Sequence, residues 1–481
     1  GFTGEFGFDY TITDRLGGTS TAHADLYCHG NGAPTLTATI PDAAVAADTA
    51  FAVALPAPLF SDPDNDPLWI DLTLADGSPP PAWLYLDANS MQVTGTPPPG
   101  FSGDLQLVIS ATDGLSLASA AFTLTIGLVE GVHIVGTSGA DHLVGMSGAD
   151  TIEGLAGNDT LDGGGGDDTF LVAGHAGVDS YDGGGGSDTI LGSYGNDVIG
   201  HASGLPAFAG IEAIDGGAGF DVIRGTGSPD LFDLSAVLVA GIEVIATHLG
   251  ADTIIGSSAA DTIDGGAGPD RLSGGEGDDT FLVDGAAGLD DYDGGDGFDV
   301  ILGGSGDDVI GLLAGSASLA SIERIDGGGG LDFIRGTSGS DFIDLSNVEL
   351  SGIEAIRTFR GDDTILGSSG ADTIDGGAGN DRLEGGEGDD ILEGGGGEDD
   401  FVFGPGGGHD VVLDFELGTL SIPVVDRIDL SQCGFVDFAH AMAHAAPDAA
   451  ATGITITLDS GDTLELRNIT LADLSEAHFV L

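Results

Sequence analysis

From about Val132 to Phe403 the chain repeats a short cycle of one apolar residue among glycines and acids. The cycle is clearest in GDDTILGSSGADTIDGGAGNDRLEGGEGDDILEGGGGEDD, Gly361 to Asp400. An aspartate recurs every nine residues, at Asp363, Asp372, Asp381, Asp390 and Asp399. A glycine stands two residues before each, and an apolar residue two after: Ile365, Ile374, Leu383, Leu392 and Phe401. This is the G-G-x-G-x-D-x-U-x nonapeptide, the signature of a parallel β-helix. It predicts short strands with one inward side chain each, separated by glycine-rich turns. A flexible Gly/Asp linker has no reason to keep a nine-residue phase.

The phase extends upstream. Asp141, Asp150, Asp159 and Asp168 form one run, and Asp179, Asp188 and Asp197 another. Asp221 and Asp230 follow, then Asp252, Asp261, Asp270 and Asp279. Asp290, Asp299 and Asp308 precede Asp332 and Asp341. Glycines permit left-handed turns and expose backbone carbonyls. The aspartate adds a hard oxygen, and Ca²⁺ takes six to eight oxygens. One apolar side chain per nine residues makes a thin core, and stacked carboxylates repel, so the ion has structural work to do. Ser228 and Ala259 replace the glycine two before Asp230 and Asp261, which weakens those two loops.

A longer repeat overlies the short one. GDDTFLV at 166 returns at 277, an offset of 111, and DVIRGT at 221 returns as DFIRGT at 332. Each copy holds two GIExI-type segments, with Ile211/Ile214, Ile242/Ile245, Ile322/Ile325 and Ile353/Ile356. Their apolar pairs suit inward positions of longer, calcium-free turns; an interaction face is the competing reading. At eighteen residues per turn the region predicts roughly fifteen turns, each touching only its neighbours.

The N-terminal part has a different pattern. Phe6, Phe8, Tyr10 and Ile12 alternate as in a strand, with a return strand through Ala22, Ala24 and Leu26. Gly1-Phe2-Thr3-Gly4-Glu5 and Thr13-Asp14 recur as Gly100-Phe101-Ser102-Gly103-Asp104 and Thr112-Asp113, 99 residues on. That is the size of one β-sandwich. Residues 1–32 therefore read as the last hairpin of a truncated sandwich, and 33–129 as a complete one. Strand patterns fall at Ala50–Leu55, Leu68–Leu74, Trp83–Leu86, Met91–Thr94, Leu105–Ala111 and Ala121–Ile126. Trp69 and Trp83 read as core. Residues 130–403 are the repeat region and 404–481 a C-terminal cap, with helical character at Phe435–Ala446 and a final hairpin and short strand.

Charge narrows the function. The net charge is −69, from 79 acids and ten bases, all of them Arg. Nucleic-acid binding needs a basic face and is excluded. Such charge often marks disorder, but here the acids are periodic and interleaved with Ile, Leu and Val. Cys28 and Cys433 give no disulfide framework, and no apolar run of eighteen residues predicts a membrane span. The chain has no H-E-x-x-H motif, no G-x-S-x-G elbow and no lysine for a phosphate loop. His440 and His444 share a helix face but form an incomplete zinc site with no third ligand indicated. Carboxylate pairs recur at structural positions in every turn, which argues against glycosidase chemistry. The expectation is a chain with no enzymatic site.

The nonapeptides resemble the RTX (repeats-in-toxin) family of secreted calcium-binding proteins, over residues 131–481. The resemblance implies an all-β chain: a sandwich, then a calcium-binding parallel β-roll, then a small cap. It implies ions between loops one turn apart, at Asp141/Asp159, Asp150/Asp168, Asp179/Asp197, Asp252/Asp270, Asp261/Asp279, Asp290/Asp308, Asp363/Asp381, Asp372/Asp390 and Asp381/Asp399. Residues 33–128 resemble bacterial cadherin-like and dystroglycan-type Ig-like modules through SDPDNDP at 61–67 and ATDG at 111–114. That likeness implies a calcium site from Asp62, Asp64, Asp66 and Asp113, against the reading of a solvated acidic turn. GGGHDVVLDF, VVDRIDLSQCGF and the terminal Phe479-Val480-Leu481 after Glu476 resemble the segment that follows the repeats in serralysin-type proteins. They imply an uncleaved type I secretion signal and a type I secretion machinery as partner. The whole implies a secreted or cell-surface calcium-binding protein of adhesin or surface-layer type, with a cell-surface or glycan ligand or self-association left open. The alternatives are the secretion and folding module of a larger enzyme, or a self-assembling filament.

Overall fold

The computed structural model describes residues 4–28, 30–47, 49–98, 101–127, 131–174, 177–202, 207–286, 288–313, 319–418, 425–448 and 452–481. Gly1 to Thr3 and Gly100 of the 99-residue repeat lie outside them. The chain forms two compact units, Gly1–Val132 with Met146–Ala149, and His133–Gly145 with Asp150–Leu481. Both are built almost wholly of β-structure.

In the first unit Gly4–Thr13 and Thr19–Cys28 make an antiparallel hairpin. Its turn is tied by Asp14, whose Oδ1 accepts from the Leu16 and Gly18 amides at 2.8 Å. The hairpin recurs at Gly103–Thr112 and Leu117–Gly127, where Asp113 accepts from Leu115 and Ser116 at 2.7 Å. The two copies differ in burial. Leu107, Ile109 and Ala111 are fully buried, whereas Phe8, Tyr10 and Ile12, which precede them by 99 residues, are exposed. The second hairpin lies in a four-stranded sheet with Ala43–Ala46 and Trp69–Leu74. A three-stranded sheet of Phe51–Ala54, Gln92–Gly95 and Leu84–Asp87 completes the core, with Leu72, Leu84, Val93 and Phe122 buried. Trp83 packs on this core and meets Phe101 edge-on. Trp69 does not: it is 64% exposed, because the period of two along its strand turns Leu72 inward and Trp69 outward.

The second unit is a solenoid of about 12 turns, fewer than a uniform eighteen-residue repeat predicts. Most strands are three residues long and bury only the middle one, as in Thr151-Ile152-Glu153 and Thr169-Phe170-Leu171. Stacking aligns these middle residues in parallel register, Ile134 on Ile152 on Phe170 on Ile190. One continuous core runs from Ile152 to Phe479.

The turn count falls because the GIExI turns are longer and carry three strands. Ala213–Asp215, Val222–Arg224 and Leu231–Asp233 belong to three sheets, and so do Leu238–Ala240, Val244–Ala246 and Thr253–Ile255, which stack on them. There one sheet ends as another begins. The second copy repeats the handover at Arg324–Asp326, Phe333–Arg335 and Phe342–Asp344. Ile211, Ile214, Ile245, Ile322, Ile325 and Ile356 are buried, and Ile242 and Ile353 pack against the core.

The cap closes the stack by continuing it. Thr463–Arg467 pairs in parallel with His409–Val412, and Phe479–Val480 with Arg427–Asp429. Antiparallel Gly453–Thr457 and Ala445–Pro447 then cover the sheet edge. The helix, α1, spans only Phe438–Ala443, shorter than the sequence pattern, because Ala445–Pro447 is drawn into the sheet.

Three of the four GIExI-type turns place glycine at positive φ before the isoleucine, at Gly210, Gly241 and Gly352; the fourth has Ser321 at φ 51°. Left-handed backbone costs a non-glycine residue roughly 1–2 kcal/mol, and glycine gives back about half of that in unfolded-chain entropy. Ser321→Gly should therefore stabilise the solenoid by about 0.5–1 kcal/mol, read as a raised melting temperature with calcium held fixed.

Candidate metal centres

Every nonapeptide aspartate lies one residue before a strand, so stacking the strands stacks the carboxylates. After the first in each column, every aspartate uses Oδ1 in the same way, accepting the backbone N–H of the aspartate one turn earlier. The columns run Asp141, Asp159, Asp179; Asp150, Asp168, Asp188; and Asp197, Asp221. They continue as Asp230, Asp252, Asp270, Asp290; Asp261, Asp279, Asp299; and Asp308, Asp332. The last two are Asp341, Asp363, Asp381, Asp399 and Asp372, Asp390. These bonds are 2.7–2.9 Å long.

Two of the pairs expected from sequence are not formed. Asp179 stacks on Asp159 and Asp197 under Asp221; likewise Asp290 stacks on Asp270 and Asp308 under Asp332. The turns before Asp179 and Asp290 hold twenty residues, which carries the register past the assumed eighteen. Sequence reasoning also missed the ends of the columns. Glu212 accepts from Asp188, Glu243 from Asp221, Glu323 from Asp299 and Glu354 from Asp332. Their signal was the Glu of each GIExI-type segment. Asp410 and Asp426 extend the last two columns, accepting from Asp390 and Asp399.

The second carboxylate oxygen separates the loops into two kinds. In one kind Oδ2 accepts the N–H of the residue four before the aspartate: Thr137 to Asp141, Thr226 to Asp230, Ser257 to Asp261, Gly304 to Asp308, Thr337 to Asp341 and Ser368 to Asp372, at 2.6–2.7 Å. Ser193 does the same for Asp197 at 2.5 Å. In the other kind Oδ2 is buried with no hydrogen-bond partner: Asp159, Asp168, Asp188, Asp221, Asp252, Asp270, Asp279, Asp299, Asp332, Asp363, Asp381, Asp390 and Asp399. These side chains are 0–2% exposed. Asp179 and Asp290 differ again, each accepting a tyrosine hydroxyl, Tyr181 or Tyr292.

The bare oxygens meet the chemistry of a hard cation. A Cβ built on Gly163 would run into both Asp168 Oδ2 and the Gly183 carbonyl of the next turn. Gly274 stands in the same relation to Asp279 and the Gly294 carbonyl. Only glycine leaves this cradle open, and the polar atoms facing it are a carboxylate and a carbonyl oxygen, the donors Ca²⁺ prefers. Burial pushes the carboxyls of Asp168, Asp270, Asp279, Asp381 and Asp390 up to about 7, and neighbouring carboxylates push the same way. Asp188 and Asp399 rise to about 6 for the same first reason.

In the first unit, ligand atoms of Asp62, Asp64 and Asp66 lie within 4.8 Å of one another. Asp62 Oδ1 accepts from the Asp64 and Asp66 amides at 2.9 and 3.2 Å, and its Oδ2 is buried and bare. Asp113 is not in this group; it is bound by Asn31 Nδ2 at 2.9 Å, which holds its carboxyl below the usual range. Among the described residues no helix is long and apolar enough to cross a membrane.

The comparison with known families agrees with this geometry. The RTX calcium-binding nonapeptide repeat (4 copies) matches residues 135–170, 174–204, 207–235, 243–281, 284–318, 320–347, 357–392 and 376–412. The chain belongs to that family, and its repeat region is a calcium-binding β-roll. Residues 33–127 match the family described as "Putative Ig domain". No curated protein sequence matches the chain. Similar solved structures include the extracellular lipase LipA from Serratia marcescens, at 16% identity over 61% of this chain and 40% of that one, TM-score 0.18. Another is the endo-fucoidan hydrolase MfFcnA4 from glycoside hydrolase family 107, at 19% identity over 29% and 23%, TM-score 0.19. The chain spans about a quarter of the length of that hydrolase. Likeness at this level carries no argument about activity.

The raised carboxyls set a pH dependence. A carboxyl whose folded pKa lies above its unfolded value of about 3.9 stabilises the fold in its protonated form. That stabilisation is complete below about pH 4 and is lost as pH rises through 6–7. The calcium-free chain should thus hold more β-structure at pH 5 than at pH 8 by circular dichroism. With calcium the order should reverse, since protons compete with the metal for the same oxygens.

Proposed function

We propose that the chain is a calcium-loaded extracellular structural or adhesive protein whose repeats fold on meeting calcium after type I secretion. The observation that carries this reading is the column of buried carboxylate oxygens with no partner. A net charge of −69 opposes stacking these groups without cations. Calcium supplies the missing positive charge and oxygen coordination. The chain's own residues do the rest: glycines keep the cradles open, the aspartates fix the register through Oδ1, and the inward Ile, Leu and Phe form the core.

Export follows from the same balance. Where calcium is scarce the repeats remain unfolded and able to pass a secretion channel. Outside, calcium binds the native state alone and draws folding forward by mass action. Binding free energy then appears as folding free energy. The cap, with Phe479 and Val480 paired to the solenoid end, would be the secretion signal before folding and a lid on the stack after it. The Ig-like unit serves as a spacer or binding module, and calcium at Asp62, Asp64 and Asp66 would stiffen it.

Size-exclusion chromatography at pH 8 tests the folding step. The chelator-treated chain should elute as an expanded species, and millimolar calcium should move it to a compact one, reversibly. Equal elution in chelator and in calcium would refute the reading.

A further inference from the structure

We infer that the ions of the repeat region are confined to the open loops, and that a closed loop at the head of a column holds none through its own aspartate. This rests on the calcium reading above and refines it residue by residue. The dividing feature is the backbone of the residue four before the aspartate. In all the loops with a bare Oδ2 that residue has positive φ: Gly164 before Asp168, Gly377 before Asp381, Gly386 before Asp390. The rule holds even where the residue is not glycine, at Leu155 before Asp159, His248 before Asp252 and Phe359 before Asp363, with φ of 70°, 81° and 92°. Side chains avoid that region, so strain there marks a conformation the site requires. In the closed loops Thr137, Ser193, Thr226, Ser257, Gly304, Thr337 and Ser368 take the other conformation and give their N–H to the carboxylate. A closed loop stands at the head of seven of the eight columns, at Asp141, Asp197, Asp230, Asp261, Asp308, Asp341 and Asp372. The backbone amide there does what the ion does further along. The Glu residues of the GIExI-type segments close several columns at the other end. Calcium therefore loads as separate short runs between these stops.

The test is the calcium content of the full chain by mass spectrometry after dialysis at saturating calcium. Asp341→Asn and Asp372→Asn, at column heads, should keep the wild-type ion count. Asp363→Asn and Asp390→Asn, one step along, should each lose bound calcium and need several-fold more calcium to fold. Equal losses from heads and interior positions would overturn the inference and leave the calcium reading intact. A wild-type chain that retains no calcium would instead defeat the reading itself. Should the interior variants fail to fold, the heads decide alone, since any ion lost from them contradicts the inference.

Independently, the geometry points to a site for a borderline divalent ion such as Zn²⁺ in the cap. Structure supplies the third ligand that the sequence did not indicate: one ligand atom each of His440, His444 and Asp459 lie within 4.8 Å of one another. His444 Nδ1 bonds the His440 carbonyl at 3.0 Å, and a carbonyl only accepts, so Nδ1 carries the hydrogen. Nε2 is then the lone-pair nitrogen of the neutral ring, and it faces Asp459 Oδ1 at 3.8 Å. A neutral ring would turn that lone pair on the carboxylate, an arrangement that a metal cation between them stabilises. A ring N–H given to a backbone carbonyl is also the usual support of a metal-binding histidine. His440 Nδ1 is buried with no partner, and Phe435 packs edge-on against both rings. The Thr457 amide bonds the His444 carbonyl at 3.0 Å and fixes the Asp459 turn against the helix end. Two nitrogens and one oxygen suit Zn²⁺, Co²⁺ or Ni²⁺ rather than Ca²⁺, with a coordination position left open.

Titrating Co²⁺ into the calcium-saturated full chain should give one saturable visible absorption band, displaced by Zn²⁺. His440→Gln, His444→Gln and Asp459→Asn should each weaken it at least tenfold while the circular dichroism is unchanged. A Co²⁺ signal equal in wild type and in all three variants, or no saturable signal in wild type, would overturn the site. The second result would leave His444 as an imidazolium paired with Asp459.

Discussion

The structure turns on the desolvation of stacked carboxylates. Taking a charged group out of water is costly unless it is paired. Here one oxygen of each aspartate is repaid by a backbone amide and the other, in most loops, by nothing in the chain. Neighbouring carboxylates one turn away add repulsion, and ten arginines in the whole sequence are too few to offset it. The fold is thus conditional: its register is encoded in the Oδ1 bonds, while its stability depends on what occupies the other side of the carboxylates.

This condition explains the form of the rest. A three-residue strand with one buried side chain yields little hydrophobic stabilisation per turn, so no single turn stands alone. Stacking makes Ile152, Phe170 and Ile190 into a continuous core, and the cap extends both sheets beyond the last repeat. The GIExI turns interrupt the ion columns and compensate with more apolar burial. Each holds an isoleucine pair where an ordinary nonapeptide has one inward residue, and a Glu that reaches the amide an aspartate would take.

Much of this was legible in the sequence because the nine-residue phase places every aspartate before a strand and every apolar residue at its centre. The partners of Asp179 and Asp290 were not, since two extra residues in the preceding turn move the register and leave the motif itself unchanged. Glu212 and its three counterparts were hidden because GIExI lacks the glycine-rich loop that marks an ion site. The open and closed loops are half legible. Ser or Thr four before the aspartate marks the closed kind, but Leu155, His248 and Phe359 sit in the open kind against their own preference. Asp459 lies fifteen residues beyond His444, across the two strands Ala445–Pro447 and Gly453–Thr457, and only the folded cap brings them together. Trp69 was misplaced because an aromatic in a strand was read without its face.

The most direct measurement is far-ultraviolet circular dichroism during a calcium titration of the chelator-stripped chain at neutral pH. A cooperative passage from coil to β-structure near millimolar calcium is the predicted result. A spectrum already rich in β-structure and indifferent to calcium would show that the bare carboxylate oxygens need no ion, and would contradict the account at its centre.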